Sequence, residues 1–183
     1  MNRELKSRKP KAGLLLIASP RFKNLSGPQR GTYNDRKLNA VEDIKSSMDF
    51  LDLSYPGIIY EREDAEKAMK MFSDNEVDFI VAEFLSWSED FAWIRFLRDM
   101  PAVPMIFTNV VKDKMSFETT LDEDDFMDYL CSGTLVGSLE GSGSIRRIPR
   151  ANVKVVMGTR DEVTEKIRVF SKAALTRSVL RHS

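Results

Sequence analysis

Five short apolar runs, each set off by a turn signal and followed by residues at helical spacing, restrict what this chain can fold into. Leu14–Ala18 follows Lys-Ala-Gly and stops at Ser19-Pro20, so Lys11 to Ala18 reads as a buried strand. Ile58–Tyr60 follows the turn signal Tyr55-Pro56-Gly57, and Val77–Phe84 follows Asp74-Asn75-Glu76. Val103–Thr108 and Val153–Met157 supply the fourth and fifth runs. Strands this apolar need cover on both faces, and strands that run parallel need a long return connection between them.

The intervening segments are suited to that return. Leu38, Val41, Ile44, Met48 and Leu51 keep the spacing of an amphipathic helix, as do Ala65, Ala68, Met69 and Phe72. Ser86 with Glu89 has capping-box spacing ahead of Phe91, Trp93, Ile94, Phe96 and Leu97, which predicts a helix starting near Trp87 and broken by Pro101 and Pro104. Thr120 with Glu123 precedes Phe126, Met127, Leu130 and Leu135, and Thr159 with Glu162 opens a long helix through Val163, Ile167, Phe170, Ala174 and Leu175. Alternation of this kind predicts an α/β fold with right-handed crossovers. The expected form is a flavodoxin-like (Rossmann-like) three-layer sandwich, its five-stranded parallel sheet ordered 2-1-3-4-5. Residues 11–183 make one such domain, behind a basic start, Met1–Pro10, that reads as disordered.

Several functions are disfavoured by what the chain contains. Its 28 basic residues balance 28 acidic ones, so no global field favours nucleic acid. The longest apolar run, Leu14–Ala18, is far short of the roughly 20 residues that cross a bilayer. The polar, basic first residues do not resemble a signal peptide, and the expected compartment is the cytoplasm. The single cysteine, Cys131, has no disulfide partner and reads as a buried structural thiol. The single histidine, His182, lies one residue from the end, which leaves no histidine in the folded body for a metal site or a nucleophile–histidine pair. No P-loop occurs, and Ser-Pro-Arg-Phe-Lys-Asn stands where a dinucleotide fold would place its glycines. Gly133, Gly137, Gly141 and Gly143 with Arg146 and Arg147 invite a phosphate reading, but the segment does not follow an apolar strand directly, and a glycine-rich helix packed on the sheet is preferred. Asp122-Glu123-Asp124-Asp125 reads as charge favoring a helix start.

In an open parallel sheet the ligand lies beyond the carboxyl ends of the strands, where strand order reverses. That points to Ser19-Pro20-Arg21-Phe22, Leu85-Ser86-Trp87-Ser88 and Asn109-Val110. Arg21 and Trp87 could together hold a polyhydroxylated ligand, the guanidinium donating to hydroxyls and the indole covering an apolar sugar face. The competing reading is a loop arginine paired with a carboxylate and a tryptophan closing the core. Phe91, Trp93, Phe96 and Met100 exceed what one helix face buries, so either some of them meet another subunit or both faces of this helix pack within the domain.

Asp74–Asp90 with its Phe-Leu-Ser-Trp-Ser-Glu-Asp loop, then Ser132–Glu140, then Val153–Gly158, resembles the amino-terminal domain of L-fucose and L-arabinose isomerase-like proteins in order and spacing. The resemblance runs from about Lys11 to the end. It implies a larger oligomeric enzyme in which a divalent metal, usually Mn2+, assists hydrogen transfer between C1 and C2 of a sugar, converting aldose to ketose. It also implies that the metal ligands come from later domains, with no cofactor in this chain. The amino-terminal domain would lend sugar contacts, often to a neighbouring subunit, through Trp87 and Arg21. Its expected partners are the sugar, the remaining domains and neighbouring subunits, and this chain alone is expected to be inactive.

Thr176–Ser183 reads as helix without a glycine or proline stop, which fits a continuing chain. The alternative is a standalone sugar-binding or regulatory module that uses the same Arg21 and Trp87 crevice without catalysis. A response-regulator-like domain would want paired acidic residues at the end of the first strand, where Leu-Leu-Leu-Ile-Ala-Ser stands instead.

Overall fold

The structure, a computed structural model, describes residues 8–100, 102–111, 122–126, 134–148 and 153–181. Its central sheet is built from β1 (Lys11–Ile17), β4 (Asp52–Ser54), β5 (Ile58–Ile59), β6 (Phe79–Phe84), β7 (Met105–Val110) and β8 (Val153–Gly158). All pairings in it are parallel, in the order β4-β1-β6-β7-β8, with β5 also paired to β1. β4 meets the first half of β1 and β5 the second, so together they form one strand position interrupted at 55–57, where Gly57 takes φ 105°. The order is therefore 2-1-3-4-5, and the fold is flavodoxin-like. The Asp52–Ser54 half was hidden in the sequence because it carries only one large apolar residue, Leu53.

Helices α1 (Tyr33–Ser47) and α5 (Arg160–Arg181) cover one face; α2 (Arg62–Asp74), α3 (Asp90–Asp99) and α4 (Thr134–Arg147) cover the other. Alternate β1 residues divide between the layers: Leu14 and Leu16 meet Val41, Ile44, Val163 and Ile167, while Leu15 and Ile17 meet Ala68, Phe72 and Trp93. α1 begins before the apolar stripe that predicts it. Thr32 and Asp35 cap it reciprocally, and its buried stripe is Tyr33, Lys37, Val41 and Ile44, leaving Leu38 45% exposed. The capping box of α5 is present as expected, with Thr159 N donating to Glu162 Oε2 at 3.0 Å and Glu162 N to Thr159 Oγ1 at 3.4 Å.

Three expectations need correction. Arg8, Lys9 and Pro10 belong to the folded body: Arg8 makes a bidentate pair with Asp78 at 2.7 and 2.8 Å, Lys9 Nζ donates to Asp49 O, and Asp52 N donates to Pro10 O. Burial pushes the Asp78 carboxyl up, but Arg8, Ser178 and the Lys11 amide together hold it below the usual range. Trp93, Phe96 and Met100 are internal, Trp93 lying between Phe84 and Phe107 with Nε1 donating to Gly141 O at 2.9 Å, so only Phe91 of that group is exposed. Phe126, expected on a buried stripe, is 52% exposed. Residues 1–7, Thr120, Met127, Leu130, Cys131, Gly133 and His182 lie outside the described residues. Among the described residues, no helix is long and apolar enough to cross a membrane.

Candidate functional site

From β1 the chain crosses to β4 and β5 on one side, then returns past β1 to β6 on the other. The carboxyl ends of β1 and β6 therefore flank the reversal of strand order, where loops diverge and leave a crevice. Backbone bonds fix both loops at their base: Ala18 N donates to Ile59 O at 3.0 Å, and Leu85 N to Ile17 O at 2.7 Å. Beneath them, the buried Lys37 donates from Nζ to Leu85 O at 2.7 Å and lies 5.4 Å from the Tyr33 ring centroid.

Arg21 and Trp87 meet here. The Arg21 guanidinium carbon lies 5.6 Å from the Trp87 ring centroid, and Trp87 leans on Phe22 at 6.1 Å, which in turn reaches Tyr33 at 5.8 Å. Arg21 Nε pairs with Glu89 Oε1 at 2.5 Å, and Ser19 Oγ donates to the other Glu89 oxygen at 2.9 Å while accepting from Arg21 N at 3.2 Å. The competing sequence reading holds in one of its two features: the arginine is paired with a carboxylate, but the core tryptophan is Trp93, and Trp87 is only partly buried. With its side chain 71% exposed, Arg21 gains only about 0–1 kcal/mol from an ion pair at such a surface. The pair orients the guanidinium more than it holds the fold.

Glu89 explains a failed expectation. The spacing of Ser86 and Glu89 predicts a capping box and a helix near Trp87, yet α3 starts at Asp90 with Glu89 at its N-cap and no side-chain cap bond. Ser86 Oγ donates instead to Trp87 O at 2.8 Å, and the Glu89 carboxylate turns to Ser19 and Arg21. An open groove of about 540 Å3 continues from Arg21 past Pro20, Tyr60, Arg62, Glu89 and Phe91.

The third loop gives a different picture. At the end of β7, Thr108 Oγ1 donates to Glu83 Oε2 at 3.1 Å, and Arg160 from the start of α5 grips the same carboxylate at 3.0 and 2.7 Å. Asn109 faces the opposite layer, buried. The acidic run also divides its work. Asp122 Oδ1 accepts from Asp125 N at 2.7 Å, a helix cap as expected, whereas Asp124 is buried against the hairpin of β2 (Ser26–Gly27) and β3 (Gly31–Thr32), accepting from Gln29 N, Arg30 N and Arg36. Burial raises the Asp124 carboxyl, and these donors outweigh it, leaving it below the usual range.

Gly137 and Gly141 rest on the sheet, and Arg146 and Arg147 occupy the last turn of α4, at the opposite end from its amino terminus, so no phosphate cradle forms from them. Among the described residues, no three His, Cys, Asp or Glu side chains converge, and the buried carboxylates of Glu83 and Asp124 are taken by arginines. These residues do not fit a manganese site.

No protein-family model matches the chain, and no curated protein is significantly similar to it.

Proposed function

We propose that this chain is the amino-terminal domain of a metal-dependent aldose–ketose isomerase acting on a sugar such as L-fucose or L-arabinose. The observation that carries the reading is the placement of Arg21 5.6 Å from the Trp87 ring, on the two loops at the reversal of strand order. A sugar offers hydroxyls to the exposed guanidinium and a C–H face to the indole, and both can be met at once in an open crevice. Glu89 and Ser19 orient the guanidinium, so that less rotamer freedom is lost when a sugar binds.

In this reading the chain contributes sugar and subunit contacts, while Mn2+ and its ligands belong to later domains. When bound there, the metal supplies polarisation of the sugar oxygens during hydrogen transfer between C1 and C2. Residues 1–183 alone are then expected to give no manganese-dependent interconversion of L-fucose or L-arabinose with its ketose, measured by ketose formation, while the longer protein turns over. Clear turnover by the isolated chain, or none by the longer protein with either sugar, would overturn the proposal.

A further inference from the structure

Lys37 stands on the buried stripe of α1, 7% exposed, where an apolar side chain of similar length would fill the space without an ion to desolvate. Its ammonium touches both walls of the crevice. Nζ donates to Leu85 O at 2.7 Å, in the loop after β6 and two residues before Trp87. The same nitrogen lies 5.4 Å from the Tyr33 ring centroid. From there Tyr33, Phe22 and Trp87 follow one another at 5.8 and 6.1 Å, and the Arg21 guanidinium closes the series 5.6 Å from the indole. A row of three rings thus has a cation at each end, the buried Lys37 and the exposed Arg21. Leu85 is held at both of its backbone groups, its N–H by Ile17 O and its carbonyl by Lys37.

We infer that Lys37 is a positioning residue for the sugar site: it sets the place of the Trp87 indole through the Leu85 carbonyl on one route and through the Tyr33–Phe22 row on the other. A hydrogen bond from an ammonium is stronger than a neutral one, and a cation facing the ring row holds it further. Trp87 is only partly buried, so packing alone does not fix the tilt with which it would cover a sugar face. Lys37 does not itself touch the sugar. It lowers the ordering cost of the indole before the sugar arrives. This inference rests on the sugar-binding reading of the crevice.

The test joins amide hydrogen exchange of residues 86–89 to calorimetric titration with L-fucose and L-arabinose. Both are run on the full-length protein and its Lys37→Met and Lys37→Arg variants, with melting temperatures recorded in parallel. Lys37→Met removes the charge at similar length. It is expected to speed exchange in that segment about tenfold, leave β1 and β6 at their natural rates, and weaken the better-bound sugar about fivefold. Lys37→Arg keeps a buried cationic donor and is expected to recover most of both changes, which a space-filling role would not produce. Lys37→Gln, shorter and uncharged, takes the place of Lys37→Met if that variant does not fold. Natural exchange rates at 86–89 in a folded, uncharged variant would overturn the anchor, and faster exchange with unchanged sugar affinity would overturn its part in binding. If the natural protein binds neither sugar, the reading of the crevice falls instead, and exchange alone decides whether Lys37 holds the Trp87 loop.

Discussion

Arg160→Met is expected to destabilise the domain by about 2–4 kcal/mol, because it leaves the Glu83 carboxylate buried with only Thr108 as partner. The Glu83 side chain is 5% exposed and Arg160 30%, so the carboxylate lies inside while its partner reaches in from the rim. Forming such a pair contributes little net stability, since both charges lose hydration, but removing one side strands the other. In a domain of this size about 3 kcal/mol corresponds to a fall in melting temperature of roughly 6–12 °C. The check is thermal denaturation of Arg160→Met beside Arg160→Met/Glu83→Leu. Recovery of most of the loss in the double variant identifies the stranded charge as the cause; a double variant as unstable as the single one would assign the effect to lost packing at the start of α5.

Gly137→Ala is expected to destabilise, and Gly143→Ala to stabilise, although both lie in α4 and share the same gain in helix propensity. That gain is about 0.5–1 kcal/mol. At Gly143 a Cβ would meet nothing within 4 Å, so the gain stands unopposed. At Gly137 the same Cβ would overlap the Ser86 carbonyl oxygen and lie 2.9 Å from Phe84 Cδ1. Backbone cannot rotate away as a side chain can, and overpacking of this kind costs about 1–3 kcal/mol, enough to reverse the sign. Displacing Ser86 also moves the loop that carries Trp87, so Gly137→Ala should also weaken the sugar binding proposed for that loop. Denaturant midpoints of the two variants check the opposite signs; a stabilised Gly137→Ala would show that α4 can lift from the sheet without cost.

The layers of this fold were legible because they depend on periodicity. Leu14, Leu15, Leu16 and Ile17 alternate between two helical layers, and such a run has few other uses in a chain of this composition. What escaped was settled by tertiary contact. Lys37 lies on the buried face of α1 while Leu38 is half exposed, because the ammonium finds the Leu85 carbonyl. Asp124 is an anchor for a hairpin nearly a hundred residues earlier, a partnership that no local pattern announces, although Thr32 with Asp35 could have marked the start of α1. Glu89 had the spacing of a cap and became the partner of Arg21, since a carboxylate at that position can serve either end of the loop. Arg21 and Trp87 came together as the strand order implied. The unsatisfied amide of Asn109 is visible only in three dimensions, because burial and the absence of a partner are properties of the packed state.

The role proposed for the crevice is to bind sugar through Trp87 while the metal is held elsewhere in the protein. Its most direct test is titration of the full-length protein and its Trp87→Ala variant with L-fucose and L-arabinose, with manganese content measured on both. Loss of the indole face should weaken the better-bound sugar by about tenfold with manganese unchanged; equal affinity in the two proteins would contradict the claim and leave Trp87 as packing for Phe22.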